Sequence, residues 1–169
     1  QCPGTSSKSI DRKEGEDKLP CGCAGSQSKV LTRNDKENVQ LEKGYEPQNK
    51  LQQWPVQIKL VPVNAPYFQN AKLLIAADCS AYAYANFHEK FIKNHITIIG
   101  CPKLDDVDYS EKLTEIISNN SIKSVTIVRM EVPCCSGLER AAKKALQQSG
   151  KFIPWGVVTI STDGRILEQ

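Results

Sequence analysis

From Leu51 onward the apolar positions fall into alternating stretches of two periods, and each stretch predicts one element. Trp54-Pro-Val-Gln-Ile-Lys-Leu-Val-Pro-Val63 sets Val56, Ile58 and Leu60 on one side, which predicts a strand with one buried face. Its prolines place that strand toward an edge. Asn64 to Phe68 predicts a turn with a short helical piece. The continuous apolar run Lys72 to Asp78 predicts a strand buried on both faces. Between Ser80 and Lys93 the positions of Tyr84, Phe87, His88 and Phe91 make one face of a helix, with Ser80 as its cap. His95 to Gly100 and Ile122 to Val132 read as two further central strands. Ser110 to Asn119 carries Leu113, Ile116 and Ile117 on one helical side. Gly137 to Ser149 carries Leu138, Ala141, Ala142, Ala145 and Leu146, and Gly150 stops it. Val157 to Ser161 is the last predicted strand, with Thr162-Asp-Gly-Arg165 as a closing turn.

Strand and helix therefore alternate, and the expected fold is an α/β domain over 51–169. Its sheet would be mostly parallel and doubly wound (Rossmann-like), with about five strands. In such a sheet the strand ends that lead into helices share one edge, because each right-handed crossover returns the chain to the opposite edge. Cys79, Cys101, Cys134 and Cys135 all stand at such ends, so topology alone predicts that they fall on the same edge.

Residues 1–50 break the pattern: they contain no Phe or Trp and a dense mixture of charged and polar residues. Such a stretch buries too little apolar surface to fold alone, so an extended polar arm is expected. Cys2-Pro-Gly-Thr-Ser-Ser-Lys aligns with Cys23-Ala-Gly-Ser-Gln-Ser-Lys, a short repeat that reads either as paired tight turns around a sulfur or as linker sequence with chance similarity. Cys21-Gly-Cys23 is a C-x-C pair. A second metal site using Cys2, Cys21 and Cys23 is one expectation for the arm.

A chain of 169 residues with 40% apolar composition suffices for one sizeable core. The net charge of +3, without basic runs interleaved with aromatics, points away from nucleic acid and anionic membranes. No apolar run approaches the roughly 20 residues of a membrane span, and no hydrophobic leader is present, so a cytoplasmic protein is expected. The seven cysteines are an odd number, which prevents complete internal pairing and favours metal or redox chemistry. G-x-G-x-x-G and G-x-x-x-x-G-K are both missing, so the fold gives no support to a nucleotide.

Four thiolates from three separated loops suit a [4Fe-4S] cluster held by Cys79, Cys101, Cys134 and Cys135. The tandem pair is hard to direct at one tetrahedral ion but can address two irons, and Pro102 after Cys101 is compatible with ligation. Against this stands the reading of the cysteines as small core residues. A thiol-disulfide or cysteine-nucleophile enzyme using Cys134 and Cys135 is the alternative, with a thiolate activated by the helix end or by His88. A C-x-x-C motif is absent, and His88 reads first as a packing or surface residue. A structural zinc site drawing on Cys21, Cys23 and two core cysteines is the third reading. Asp78, Lys103, Asp105, Asp106 and Glu131 fall near the junctions and read as caps and solvated loop ends, while Tyr82, Tyr84 and Phe87 read as helix packing.

At CGCAGS (21–26), QWPVQIKLVPVNAPYF (53–68), LLIAADCSAYAYANFH (73–88), GCPKLDD (100–106) and MEVPCCSGL (130–138) the chain resembles a family of iron-sulfur proteins from anaerobes, commonly described as 4Fe-4S ferredoxins. The resemblance implies redox work and an oxygen-poor cytoplasm and identifies no partner or reaction; a redox partner protein is the expectation that goes with the electron-transfer reading. Members often carry a two-cluster ferredoxin module ahead of this region. The first 50 residues here hold no C-x-x-C-x-x-C run, so that relay does not carry over.

Overall fold

Leu73, Leu74, Ile75 and Ala76 are all completely buried, as a run without polar alternation requires when both sheet faces are covered. They form the first strand, β1 (Lys72–Ala77), of a five-stranded sheet in the computed structural model, which describes residue 31 and residues 44–169. β2 (Ile96–Gly100), β3 (Ser124–Met130), β4 (Trp155–Ile160) and β5 (Ile166–Glu168) complete it in the order β2-β1-β3-β4-β5. The first four are parallel, and β5 turns back antiparallel on β4. The arm sequence before residue 44, with Cys2, Cys21 and Cys23, lies outside the described residues.

The helices are α1 (Ser80–Ala83), α2 (Pro102–Asp105), α3 (Ser110–Asn119) and α4 (Ser136–Ser149). The chain steps from β1 to one side and then from β2 back across β1 to β3 and β4. Right-handed crossovers therefore put the connection 80–95 on one face and α3 with α4 on the other. α3 and α4 pack against each other, burying Leu113, Ile116, Ile117, Leu138, Ala142 and Ala145. Each fully buried Leu or Ile contributes roughly 1.5–3 kcal/mol. Gly150, at φ +67, closes α4 in the left-handed conformation that favours glycine.

Two predicted elements differ. The edge strand over 54–63 is reduced to a parallel bridge between Gln57 and Ile99, with Ile99 N–H donating to Val56 O at 2.8 Å and Ile58 N–H to Ile99 O at 2.9 Å. Pro55 and Pro62 remove two donors, and both Leu60 and Val61 fold back onto Gln57 O, so the ladder stops. Ile58 is buried while Leu60 is 67% exposed. The fifth strand is instead β5, after the predicted closing turn. Beside the bridge, the Gln53 side chain donates to Thr97 O and accepts Thr97 N–H at 3.3 Å, standing in for a neighbouring strand along β2.

The helix predicted over 80–93 is also broken. α1 ends at Ala83, where Gly164 of the β4–β5 turn lies against the Ala83 carbonyl, too close for any side chain at that position. The chain then re-forms one wide π turn, His88–Ile92, that buries Phe87, Phe91 and Ile92 together. Ser80 does not cap: its hydroxyl donates to Ala77 O at 2.6 Å. Tyr84 and Phe87 pack around Phe91 as expected, with ring centroids 5.6 and 5.1 Å from it, whereas Tyr82 is 92% exposed.

Candidate functional site: four thiols at the carboxyl edge

Every one of the four core cysteines leaves a strand end. Cys79 follows β1 as the residue before α1, Cys101 follows Gly100 of β2 in extended conformation, and Cys134 and Cys135 form the tight turn Pro133–Cys135 between β3 and α4. Pro102 and Pro133 open the two later helical pieces at a position where a missing N–H costs nothing. All four thiols are free. Cys79 is exposed, Cys101 and Cys134 are half-buried, and Cys135 is buried.

β1 lies between β2 and β3, yet α2, which follows β2, packs on the turn that follows β3. That contact passes across the carboxyl end of β1, where Cys79 stands. Gly137 permits it: a Cβ there would sit 3.2 Å from Pro102 Cγ. The sulfurs consequently act on one another. Desolvation first, then the charges of Cys101, Asp78 and Cys134, push the Cys79 thiol above its ordinary range. Burial pushes Cys135 up to about 11, opposed by a backbone hydrogen bond from Met130 and reinforced by Cys134, Cys101 and Cys79. This edge beside the β1/β3 reversal of strand order is where doubly wound sheets place their ligands.

The surrounding polar groups support the loops. Tyr109 is buried and donates its hydroxyl to Asp105, tying α3 to α2 just beyond Cys101. Burial, with that hydrogen bond, raises the Tyr109 phenol. Burial likewise raises Asp78. Glu131 accepts from the N–H of Thr162 at 3.2 Å and its hydroxyl at 3.1 Å, as a loop-end residue does. Asp106 adopts φ +48 as it closes α2. His88 is exposed, and its Nδ1 accepts from Lys50 N–H at 3.2 Å.

Tyr109 and Gly137 were not legible as parts of this site. Gly100 carried the available signal, since a glycine directly before a cysteine at a strand end marks a close approach. Among the described residues, no group of three or more His, Cys, Asp or Glu side chains is arranged to hold a metal ion, and no helix is long and apolar enough to cross a membrane.

Fold and edge together define an α/β protein of the doubly wound class with thiols along the carboxyl edge of its sheet. The chain belongs to a Rossmann-like domain family, matched over residues 65–169. It is similar to an uncharacterized protein of Archaeoglobus fulgidus, 35% identical over 102 residues that cover 60% of this chain and 72% of that relative. No solved structure matches it.

Proposed function

We propose that this protein binds a [4Fe-4S] cluster through Cys79, Cys101, Cys134 and Cys135, for electron transfer with a redox partner protein in the cytoplasm or for redox sensing. The observation that carries the reading is the contact of α2 with the Pro133–Cys135 turn across the end of β1, which brings four free thiols into each other's electrostatic field. The donor set is of the kind the group uses, four sulfurs from three loops with no His or Asp needed, and the loops would have to draw these thiols together, since they are not gathered around a metal position as they stand. A single zinc needs sulfurs at about 2.3 Å from one centre, a tighter gathering than a cubane, whose ligands stand on separate corner irons. The structural-zinc reading drew on Cys21 and Cys23, outside the described residues.

The cysteine-nucleophile reading gains less support. A nucleophilic thiol is lowered toward neutrality, whereas Cys79 and Cys135 are raised. A metal binds the thiolate, so a cluster at these positions would displace the protons that burial holds on Cys79 and Cys135.

Anaerobic purification or reconstitution, with iron and sulfide assays beside a visible spectrum, tests the proposal. About four irons and four sulfides per chain are expected for a cubane, and Cys135→Ser should lose or convert the cluster. Wild-type protein that stays colourless and iron-free, or a Cys135→Ser variant with unchanged iron content, would overturn it.

A further inference from the structure

β4 is paired along its whole length on one side only. Val125 N–H donates to Pro154 O at 3.0 Å and Glu131 N–H to Ile160 O at 2.9 Å, so the even-numbered residues of β4 turn their peptide groups toward β3. Those of Trp155, Val157 and Thr159 therefore point the other way, since the peptide groups alternate sides along a strand. Thr159 meets Glu168 of β5, and the register runs no further back. Among the described residues, no strand stands opposite Trp155 or Val157, which leaves their N–H and C=O groups in a row on an open edge.

Beside this edge, the second half of α4 and the start of β4 enclose a groove of about 730 Å³. Leu146 and Ile153 line it, Trp155 borders it half-exposed, and Phe152 projects fully into solvent. Exposed aromatics gathered in one place mark an interaction site, as scattered ones do not. On the other face of the sheet, a Cβ at Gly156 would meet nothing within 4 Å, so an added strand has room on both sides.

The charge of the groove selects its occupant. Lys143 and Lys151 line it and no carboxylate does. Glu139 is shared between Lys143 and Arg129, and Lys151 Nζ donates to the carbonyls of Ile117 at 3.0 Å and Asn120 at 2.9 Å, so the groove keeps a net positive charge. A second copy of this chain, paired two-fold on the same edge, would set these lysines against their own equivalents. We infer that the open half of β4 takes up an extended acidic segment of a partner protein. That segment adds a strand against Trp155 and Val157, lays apolar side chains on Phe152 and Trp155, and sets carboxylates beside Lys143 and Lys151. The surface lies at the opposite end of the sheet from the four thiols, so the inference does not depend on what they hold.

The test is a titration of the full chain with the blocked peptide acetyl-Glu-Val-Phe-Val-Glu-amide, followed by amide NMR. Saturable shifts of the Trp155, Gly156 and Val157 amides are expected, with binding about tenfold weaker when lysines replace the glutamates. Two further peptides are N-methylated, one at the phenylalanine and one at both valines. Only the peptide edge that faces β4 supplies donors, so one of these two forms should bind about tenfold more weakly. Phe152→Asp, at a wholly exposed position outside the core, should weaken the parent peptide about tenfold as well. Absence of saturable shifts at these amides with millimolar peptide, equal binding of acidic and basic peptides, indifference to both methylated forms, or undiminished binding to Phe152→Asp would each overturn the inference. So would protection of the Trp155 and Val157 amides from hydrogen exchange in the free protein, where a second copy or another part of the chain would already hold the edge.

Discussion

Gly100 lies flat against the phenol of Tyr109: a Cβ at Gly100 would stand 2.8 Å from both Cζ and Oη of that ring. The missing side chain lets α3 close over the end of β2 and lets Tyr109 reach Asp105, so the path of the chain through Cys101 depends on it. Gly100→Ala should therefore destabilise the protein by about 1–3 kcal/mol, the usual cost of overpacking a core. Urea unfolding of the single variant and of Gly100→Ala with Tyr109→Leu checks this. Removing the ring should recover part of the loss, and strictly additive losses would contradict the account.

The same edge gives a prediction about thiol chemistry. Cys79 is exposed but its thiol is raised, and Cys135 is buried with its thiol raised to about 11. A raised thiol stays neutral at pH 7, and its thiolate fraction climbs about tenfold per pH unit below its pKa. Iodoacetamide labelling of the metal-free protein, read by mass spectrometry, should be slower at Cys79 than in the unfolded chain at pH 7, with the gap narrowing as pH rises. Cys135 should label only on unfolding. Rapid labelling of Cys135 in the native protein at neutral pH would favour the nucleophile reading.

On the opposite face, Glu139 of α4 accepts from Lys143 Nζ at 2.5 Å and Arg129 Nη1 at 2.7 Å, fastening the helix to β3. The hydrogen bond from Lys143, then that from Arg129, holds its carboxyl below the usual range. A depressed carboxyl stabilises the fold fully above its unfolded value of about 4.3, and that share is lost as pH falls through the lower folded value. Glu139→Gln should cost about 1.5–3 kcal/mol at pH 7, the range for hydrogen bonds to charged groups. The difference from wild type should shrink in denaturation curves taken below about pH 4.3.

Asn120 is 2% exposed at the end of α3, and its side chain joins three segments. Its amide donates to Val63 O at 2.8 Å and Ile116 O at 2.7 Å, and its oxygen accepts from Gln69 at 2.9 Å. Asn120→Ala removes the donor to the carbonyls of buried Ile116 and half-buried Val63 and should destabilise by about 1–3 kcal/mol. Hydrogen exchange should quicken around residues 63–69 more than in β3; uniform quickening would argue against a local clasp.

The sheet was legible because β1, β2 and β3 are apolar runs too short for helices, and α3 and α4 because their apolar residues recur at helical spacing. Periodicity could not reveal that Gln53 would substitute for a strand, since that depends on a single amide meeting Thr97 across the fold. Nor could it separate α1 from the turn at His88–Ile92: Tyr84, Phe87 and Phe91 fit one helical face, and the interruption comes from Gly164, some eighty positions away. At the site, connectivity placed the four cysteines on one edge, while the spacing between them rests on Gly137 against Pro102, a contact between positions distant in sequence. The arm cysteines lie outside the described residues.

The side chain of Gln53 occupies both peptide groups of Thr97, and Val56 and Ile58 take those of Ile99. Along this flank the sheet offers no naked hydrogen-bonding row onto which a foreign strand could graft, which guards the protein against edge-to-edge aggregation. Near in sequence to the thiols of the carboxyl edge, Tyr82 and Leu104 stand exposed, apolar groups that a protein partner of the kind proposed above would meet by side-chain contact rather than by adding a strand to the β2 flank.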